Sequence, residues 1–327
     1  MSATNEGTGP AVGSGELAGV RVSKAHGTGN DFVVCTDRDG TLDVSAETVA
    51  SVCDRHTGLG GDGLIRAVRS RHLEEGRRLL ERHPDAEWFM DYRNADGSLA
   101  QMCGNGVRVF VDHLVREGLL SLPPGARVRI GTRAGARTVA RTSAGYAVDM
   151  GPWSFSHGEE ARERGSDCVV TAHGLTVPRP GVSIDMGNPH TVVVLSEGEK
   201  LDALDLHAAP VVDPVPSNGT NVEFVVPLDH DDTEVGRLEM RVHERGVGET
   251  LSCGTGACAA AAAARFWGGP ESPDRWFVQV PGGVLSVTFV AAPDGTEHVV
   301  LAGPVLSLIH ISEPTRLSLV SRMPSSA

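Results

Sequence analysis

The sequence predicts an α+β protein built from two similar halves with a cleft between them. Short segments that alternate apolar and polar residues, or that are rich in β-branched residues, recur along the chain and are typical of half-buried strands. Helical segments are few by comparison. Each half contains a Gly-Asn turn and, further along, a Cys-Gly-x-Gly motif that opens a helix, so the chain carries an internal repeat. Clefts between such halves are favoured ligand sites.

The strands are expected throughout both halves, with a few polar connections between them. They are predicted at residues 20–24, 32–35, 64–68, 88–92, 127–130, 146–150, 182–185, 191–195, 222–226, 238–243, 277–280, 285–290 and 298–301. A first helix is predicted at residues 47–55, with Ser45 as its N-cap. Residues 72–84 are interpreted as a charged surface excursion, and residues 153–165 and 201–216 as connections.

Two further helices follow the cysteine motifs. After Cys103, apolar residues recur at i, i+3, i+4, i+7 and i+8 from Val107, which forms one apolar stripe, and Gly118 supplies a stop. After Cys253, residues 257–265 are almost all alanine, the best helix former. Because small side chains allow close approach on every side, we expect this second helix to lie deep inside a sheet.

Composition and charge exclude several classes of protein. The 327 residues are 40% hydrophobic, enough for a sizeable core, and the net charge of −13 comes without the basic cluster of a nucleic-acid binder. Six cysteines are spread singly with no C-x-x-C pair, so neither a disulfide scaffold nor a zinc site is expected. The longest apolar run, residues 257–264, is too short to span a bilayer. We therefore expect a reducing, cytoplasmic location, no membrane or nucleic-acid partner, and no metal.

Cys103 and Cys253 are the residues with the clearest chemical potential. Each lies just before a helix N-terminus, where the helix dipole favours a thiolate, so we expect pKa values of roughly 3.5–7.5 rather than about 8.5. The backbone N–H groups that follow can hold a carboxylate. One such motif alone is more often a turn around a buried cysteine. Two such motifs that face each other would suit a two-base racemase, in which one thiolate removes an α-proton and the other thiol protonates the opposite face. The alternative is a pair of thiols that forms a reversible disulfide.

The other polar motifs are weaker. Residues 58–63 match G-x-G-x-x-G, but they follow a helical stretch and open a strand, so a dinucleotide site is excluded. His190, Glu244 and Arg245, taken alone, are more often surface residues. Four asparagines at strand–turn boundaries are, taken alone, more often turn residues: Asn30, Asn94, Asn188 and Asn221. Only the cysteine pair suggests that these side chains share a pocket. The remaining cysteines are expected in the core: Cys35, Cys53, Cys168 and Cys258.

Six stretches of the chain resemble the diaminopimelate epimerase family, a pyridoxal-free branch of the proline-racemase-like superfamily. They are KAHGTGNDFVV (24–34), DRHTGLGGDGL (54–64), YRNADGSLAQMCGNGVRVF (92–110), DMGNPHTVVV (185–194), NGTNVEFV (218–225) and HERGVGETLSCGTGACAA (243–260). They follow the family's order and spread over about residues 20–305. Together they are specific, whereas the doubled cysteine motif alone would not separate this family from proline racemase.

The resemblance implies a fold and an activity. The fold is a pair of pseudo-twofold-related α/β-roll domains, each a curled mixed sheet around a central helix, with the active site in the cleft between them. The expected N-terminal domain covers residues 20–148 and the C-terminal domain residues 149–305. The implied reaction converts LL-2,6-diaminopimelate to meso-diaminopimelate without a cofactor, on the way to lysine and peptidoglycan. Family members are often dimers, so a homodimer is an open expectation.

The resemblance also implies roles for individual residues. Cys253 would remove the proton from the LL substrate and Cys103 would supply one to the other face, assisted by His190 and Glu244. Backbone amides at the helix starts would hold the reacting carboxylate, at Gly104, Asn105, Gly254 and Thr255. The polar ends of the substrate would be bound by Asn30, Asn94, Asn188, Asn221, Glu244 and Arg245.

The chain departs from the family at two places, position 63 and the tail after Val305. Many members carry Gln where this chain has Gly63, so one side-chain contact is expected to be missing. Residues 1–19 are Gly-rich, without the charge pattern of a signal peptide, and we expect a disordered leader. Residues 306–327 do not resemble the family and look like a translated sequencing adapter, so we expect an artefact without stable packing.

Two other functions stay open at this point. A proline or hydroxyproline racemase would use the same cysteine pair, although Asn105 and the Glu244-Arg245 pair favour diaminopimelate by resemblance. A binding or redox-sensing relative without turnover would keep the fold but not need every polar residue of the site.

Overall fold

The computed structural model describes residues 16–228, 234–292 and 295–311. The helices in these ranges are α1 Ala46–Cys53, α2 Glu74–Leu80, α3 Gly104–Arg116, α4 Gly158–Arg164 and α5 Gly254–Gly268, with 3-10 helices at Ser70–His72 and Leu201–Ala203. The strands of the first part of the chain are β1 Val22–Gly27, β2 Asn30–Asp37, β3 Gly63–Arg69, β4 Trp88–Asn94, β5 Arg127–Thr132, β6 Gly135–Thr142, β7 Gly145–Pro152, β8 Ser154–Phe155 and β9 Cys168–Thr171. Those of the second part are β10 Arg179–Asp185, β11 Pro189–Val194, β12 Val211–Asp213, β13 Asn221–Pro227, β14 Val235–Glu244, β15 Gly248–Thr250, β16 Arg275–Val280, β17 Gly283–Ala291, β18 Glu297–Gly303 and β19 Leu306–Ile311.

Strand pairing repeats in the same order in two halves. In the first half the neighbours run β1-β2-β3-β4-β5-β6-β7, with parallel pairs at β2/β3 and β4/β5. In the second half they run β10-β11-β13-β14-β16-β17-β18, with parallel pairs at β11/β13 and β14/β16. The predicted α+β fold with an internal repeat is therefore confirmed. The last strands of the two halves, β7 and β18, pair antiparallel and join them, so the predicted boundary at 148/149 falls inside a strand and stays a prediction.

One long helix packs inside the sheet of each half. Helix α3 contacts β1, β2, β3, β4 and β7, and α5 contacts β10, β11, β13, β14, β16, β17 and β18. The apolar stripe of α3 is buried except for the half-buried Val115, and in α5 every residue from Ala257 to Ala263 is fully buried. The alanines let α5 approach strands on all sides, as the sequence predicts. These two helices present their N-termini, and the cysteines that precede them, to the junction between the halves.

The smaller predictions have mixed outcomes. Ser45 caps α1 by accepting a hydrogen bond from the Thr48 backbone N–H, as predicted. The predicted excursion at 72–84 contains the short helix α2, and the two predicted connections contain β8, α4, β12 and a 3-10 helix. The four cysteines predicted in the core are buried and free. Within the described ranges, no helix combines the length and apolar character that a membrane crossing requires.

Residues 16–19, at the end of the predicted leader, pack against the first half, contrary to the expectation of disorder. Residues 1–15 lie outside the described residues, but Leu17 is buried against α1 and its neighbours. Glu16 Oε2 accepts hydrogen bonds from the Ser45 backbone N–H (2.8 Å) and from Ser45 Oγ (3.0 Å). The expectation is therefore wrong for residues 16–19, because an apolar side chain and a helix-capping partner anchor them.

The start of the tail also differs from expectation. Residues 306–311 form β19, which pairs antiparallel with β1 from Val22↔Ile311 to His26↔Leu306. Without this pairing β1 would be an edge strand with unpaired backbone groups, and such an edge accepts an extended segment whatever its side chains. The expectation of no packing from residue 306 is wrong for these six residues. Residues 312–327 lie outside the described part, and the adapter origin stays a prediction.

Candidate active site

A cavity of ≈ 760 Å³ lies between the two halves and brings together most of the predicted site residues. The predicted residues that line it are Asn30, Asn94, Cys103, Gly104, Asn105, Asn188, Glu244, Arg245, Cys253, Gly254 and Thr255. His190 and Asn221 do not line it and are buried behind it. Other residues on the wall, which the sequence analysis did not select, include Arg55, Asp62, Tyr92 and Thr250.

The two thiols act as helix N-caps. Cys103 Sγ accepts a hydrogen bond from the Gly106 backbone N–H at 3.4 Å, and Cys253 Sγ accepts one from Gly256 at 3.4 Å. A short polar side chain that accepts from the third helical N–H is the usual capping arrangement. Helix geometry leaves the two preceding N–H groups of α3 and α5 without an intrahelical acceptor. Each cysteine therefore comes with two backbone donors directed at the same cavity.

The thiols titrate in the opposite direction from the sequence prediction. Burial raises the pKa of Cys103 to about 11, although the Gly106 N–H partly offsets this. Burial, followed by the carboxylates of Glu244 and Glu223, raises the pKa of Cys253 well above its ordinary value. The prediction of lowered pKa values is wrong because desolvation of the thiolate outweighs the helix dipole. A thiolate with a raised pKa is a stronger base, which suits removal of a weakly acidic proton.

Asn105 links the start of α3 to the other half of the molecule. Its Nδ2 lies 3.3 Å from Ser252 Oγ and 3.4 Å from the Ser252 carbonyl oxygen. Its Oδ1 accepts a hydrogen bond of 2.6 Å from Arg108 Nη2, and the same Nη2 donates to Thr28 Oγ1 at 3.1 Å. Arg108 is fully buried, and among the described residues its Nε and Nη1 have no hydrogen-bond partner. Burial lowers the pKa of Arg108 to about 10.

Asn30 is held beside Cys103 by a charged network. Cys103 Sγ donates to Asn30 Oδ1 at 3.4 Å, and Asn30 Nδ2 donates to Asp62 Oδ2 at 2.6 Å. Arg55 bridges Asp62 and Asp31, with Nη2 lying 2.7 Å from an oxygen of each. The network fixes the asparagine amide, so the orientation of Asn30 does not depend on a bound ligand.

His190 is held by a glutamate that the sequence analysis missed. His190 Nδ1 lies 2.7 Å from Glu223 Oε1, and both side chains are fully buried. His190 Nε2 lies 3.1 Å from Asn188 Oδ1, and Asn188 Nδ2 donates to Thr255 Oγ1 at 3.3 Å. His190 therefore reaches the cavity through Asn188 and Thr255 rather than directly. A charged residue inside the apolar strand β13 was the sequence signal for Glu223.

Glu244 and Arg245 line the cavity from the second half of the molecule, and Asn221 lies behind them. Thr250 Oγ1 donates to Glu244 Oε1 at 2.5 Å, and burial raises the pKa of Glu244 above its ordinary value. Asn221 Oδ1 accepts from the Arg245 backbone N–H at 3.0 Å. Asn221 thus shapes the turn after β14 from behind the cavity. Arg245 Nη1 donates to the Asn218 carbonyl at 2.5 Å.

Asn94 lies on the first-half wall, at the end of β4. Its Nδ2 donates to Ser98 Oγ at 3.0 Å, which closes the turn after the strand. Asn94 is the last residue of β4 and Glu244 is the last residue of β14, the corresponding strand of the second half. The two halves therefore place different polar groups at matching strand ends.

The floor beneath each cysteine also differs between the halves. Phe32 and His190 both lie two residues after the asparagine of a Gly-Asn turn, at matching places in β2 and β11. In the first half, Phe32 and Ile65 pack beneath α3 close to Gly106. In the second half, Glu223 Oε1 packs beneath α5 against Gly256. The repeat thus supports the start of α3 on apolar side chains and the start of α5 on Glu223, which is paired with His190.

Comparison with solved structures defines the class of protein. The Bacillus anthracis phenazine biosynthesis protein of the PhzF family has a TM-score of 0.59 and 16% identity, with 89% of this chain and 98% of that chain covered. An Agrobacterium vitis hydroxyproline epimerase has a TM-score of 0.54 and 14% identity, covering 90% of this chain and 93% of that chain. The chain therefore has the fold that PhzF and proline-racemase-like proteins share.

Sequence relatives then give the family. The family profile described as diaminopimelate epimerase matches residues 22–156 and 182–306. The Thermobifida fusca diaminopimelate epimerase is 43% identical over 295 residues, which is 88% of this chain and 98% of that protein. The Rhodococcus jostii diaminopimelate epimerase is 45% identical over 277 residues, covering 81% of this chain and 89% of that protein. The chain belongs to the diaminopimelate epimerase family.

Proposed function

We propose that this chain interconverts LL-2,6-diaminopimelate and meso-diaminopimelate by two-base proton transfer, with no cofactor. The observation that carries the proposal is the pair of N-cap thiols, one from each half, on the wall of one cavity. One thiolate removes the α-proton and the other thiol protonates the opposite face. Biosynthesis of lysine and peptidoglycan precursors is the role that follows from this reaction.

The residues around the thiols divide into two groups. We assign Cys253 as the base toward the LL isomer and Cys103 as the acid, reversed in the other direction. The free N–H groups at the starts of α3 and α5 hold the reacting carboxylate and stabilise the charge that develops as the proton leaves. Glu244 and the side chains of Asn30, Asn94, Asn188 and Arg245 bind polar ends of the substrate from the cavity wall.

His190 and Asn221 act from behind the wall. His190 positions Asn188 and, through it, Thr255, whereas Asn221 positions the backbone of Arg245. We assign both as positioning residues, because neither lines the cavity. A cytoplasmic location fits this function, since the reaction needs reduced thiols and the six cysteines are free. A homodimer stays a prediction.

The test is proton NMR of LL-diaminopimelate with the purified protein in D2O under reductant. We expect α-deuterium incorporation and appearance of the meso isomer, both lost in Cys103→Ala and in Cys253→Ala. Cys258→Ala is the matched control, because Cys258 lies in α5 and does not line the cavity. Absence of exchange with the folded, reduced protein contradicts the proposal, and exchange of proline in place of diaminopimelate would indicate a racemase of the other type.

A further inference from the structure

The chain has two tyrosines, and one of them, Tyr92, lines the cavity. Tyr92 is only 7% exposed, yet none of the described residues forms a hydrogen bond with its phenol oxygen. The ring of Tyr92 is buried, whereas its phenol oxygen keeps some accessible surface, and the space that it faces is the cavity. A substrate in the cavity can therefore form a hydrogen bond with this hydroxyl without displacing a protein group.

The ring is fixed in place before any ligand arrives. Tyr92 pairs with Ile65 in the β3/β4 ladder, and its ring packs edge-on against Phe32 with centroids 5.6 Å apart. Its backbone carbonyl accepts hydrogen bonds from Arg133 Nη1 at 2.9 Å and from the Ala100 N–H at 3.2 Å. A hydroxyl held this way gives up little conformational freedom on binding.

The ring also explains the absent side chain at position 63. A Cβ at Gly63 would lie 2.6 Å from Tyr92 Cε2 and 2.3 Å from the Arg93 carbonyl oxygen. Neither the ring nor the strand backbone leaves room for a side chain there. The phenol of Tyr92 thus occupies this part of the cavity wall in place of a residue at 63.

The surroundings keep the phenol protonated. Burial, followed by the acidic groups of Cys103, Asp62 and Glu244, raises the pKa of Tyr92 above its ordinary value. A neutral phenol can donate one hydrogen bond and accept others, so it suits a zwitterion that presents a carboxylate and an ammonium side by side. Tyr92 packs against Phe32, which lies beneath the start of α3 beside Cys103, so the phenol lies on the Cys103 side of the cavity.

We propose that Tyr92 is a substrate-binding residue whose phenol hydrogen-bonds the amino-acid head group at the reacting carbon. The proposal rests on the proposed epimerase function. Tyr92 adds a contact from β4 to those of the backbone N–H groups at the starts of α3 and α5. The first half therefore binds the head group as well as carrying Cys103.

The test compares Tyr92→Phe with Tyr146→Phe, which removes the hydroxyl of the other tyrosine. Tyr146 Oη donates to Asp112 Oδ1 at 3.2 Å, and Tyr146 does not line the cavity. We expect Tyr92→Phe to lower kcat/KM by about tenfold to a hundredfold, the loss expected for one hydrogen bond to a charged group, with Tm unchanged. We expect the reverse for Tyr146→Phe, with Tm lowered and kcat/KM unchanged.

The outcomes separate this proposal from the proposed function. Wild-type kcat/KM in Tyr92→Phe overturns the role of Tyr92 and leaves the epimerase intact. Parallel losses of Tm and kcat/KM in Tyr92→Phe also overturn it, because they indicate a structural role. If the unaltered protein neither epimerises diaminopimelate nor gains Tm from it, the proposed function fails and this proposal fails with it.

Discussion

At the scale of single residues, the two thiols have different electrostatic surroundings. Burial and Glu244 raise the pKa of both thiols, but Glu223 also raises that of Cys253, whereas Arg108 lowers that of Cys103. The buried carboxylate of Glu223 therefore favours the protonated form of Cys253. Since both directions of the reaction need one thiol and one thiolate, this difference biases which cysteine is charged in the free protein.

Glu223→Gln tests this bias. The amide keeps the shape of the side chain but removes the negative charge, so the pKa of Cys253 falls and its thiolate fraction at a given pH rises. Alkylation of Cys253 by iodoacetamide should accelerate by about threefold to tenfold, because the thiolate is the reactive form. Peptide mass spectrometry measures the rate, and Cys103 in the same sample is the control. Equal acceleration at both cysteines, or none at either, would show that Glu223 does not set the charge of Cys253.

At the scale of elements, Gly106 in α3 and Gly256 in α5 occupy equivalent positions, each in the first turn of its helix. A Cβ at Gly106 would meet its nearest atoms at 3.4 Å, which is ordinary contact. A Cβ at Gly256 would lie 2.5 Å from Glu223 Oε1. The start of α5 therefore depends on glycine because the buried glutamate occupies the space, whereas the start of α3 does not.

The matched pair Gly256→Ala and Gly106→Ala should separate in stability. We expect Gly256→Ala to lower the free energy of unfolding by about 1–3 kcal/mol through overpacking. We expect Gly106→Ala to be neutral or to stabilise by up to about 1 kcal/mol, since alanine is the better helix former. Urea denaturation measures both. Equal destabilisation by the two substitutions would mean that helix geometry, rather than Glu223, requires the glycines.

At the scale of the whole molecule, β19 returns the end of the described chain to the first half. Leu306 and Leu308 in this strand are exposed, so the strand is held by backbone pairing with β1 rather than by burial of these side chains. The tail therefore matters for stability through the edge of β1, whatever the origin of its sequence.

Two truncations distinguish the strand from the residues that follow it. Ending the chain at Val305 removes β19, and we expect a lower Tm, at about 2–4 °C for each kcal/mol lost, with faster hydrogen exchange in β1. Ending the chain at Ile311 keeps β19 and should leave both quantities unchanged. If the shorter chain exchanges its β1 amides no faster than the longer one, the pairing of β19 does not contribute to stability.

The sequence alone determined what depends on local pattern. Strand alternation, the apolar stripe of α3, the alanines of α5 and the paired Cys-Gly-x-Gly motifs all act over a few residues, so the α+β repeat and the site at its junction could be predicted. The predicted residues on the cavity wall came from those same motifs and from the family resemblance. Helix capping by Cys103 and Cys253 is likewise a local property of each motif.

Only the tertiary structure decided what depends on distant residues. Desolvation by the surrounding sheets reversed the predicted pKa shift of both thiols, since burial is a property of the whole packing. Parallel pairing of β11 with β13 brought Glu223 within hydrogen-bond distance of His190, which lies behind the cavity wall. The register of β3 with β4 placed the Tyr92 ring beside Gly63. The pairing of β19 with β1 gave the start of the tail its place in the sheet. No short segment encodes these contacts, because they form between residues that only the fold brings together.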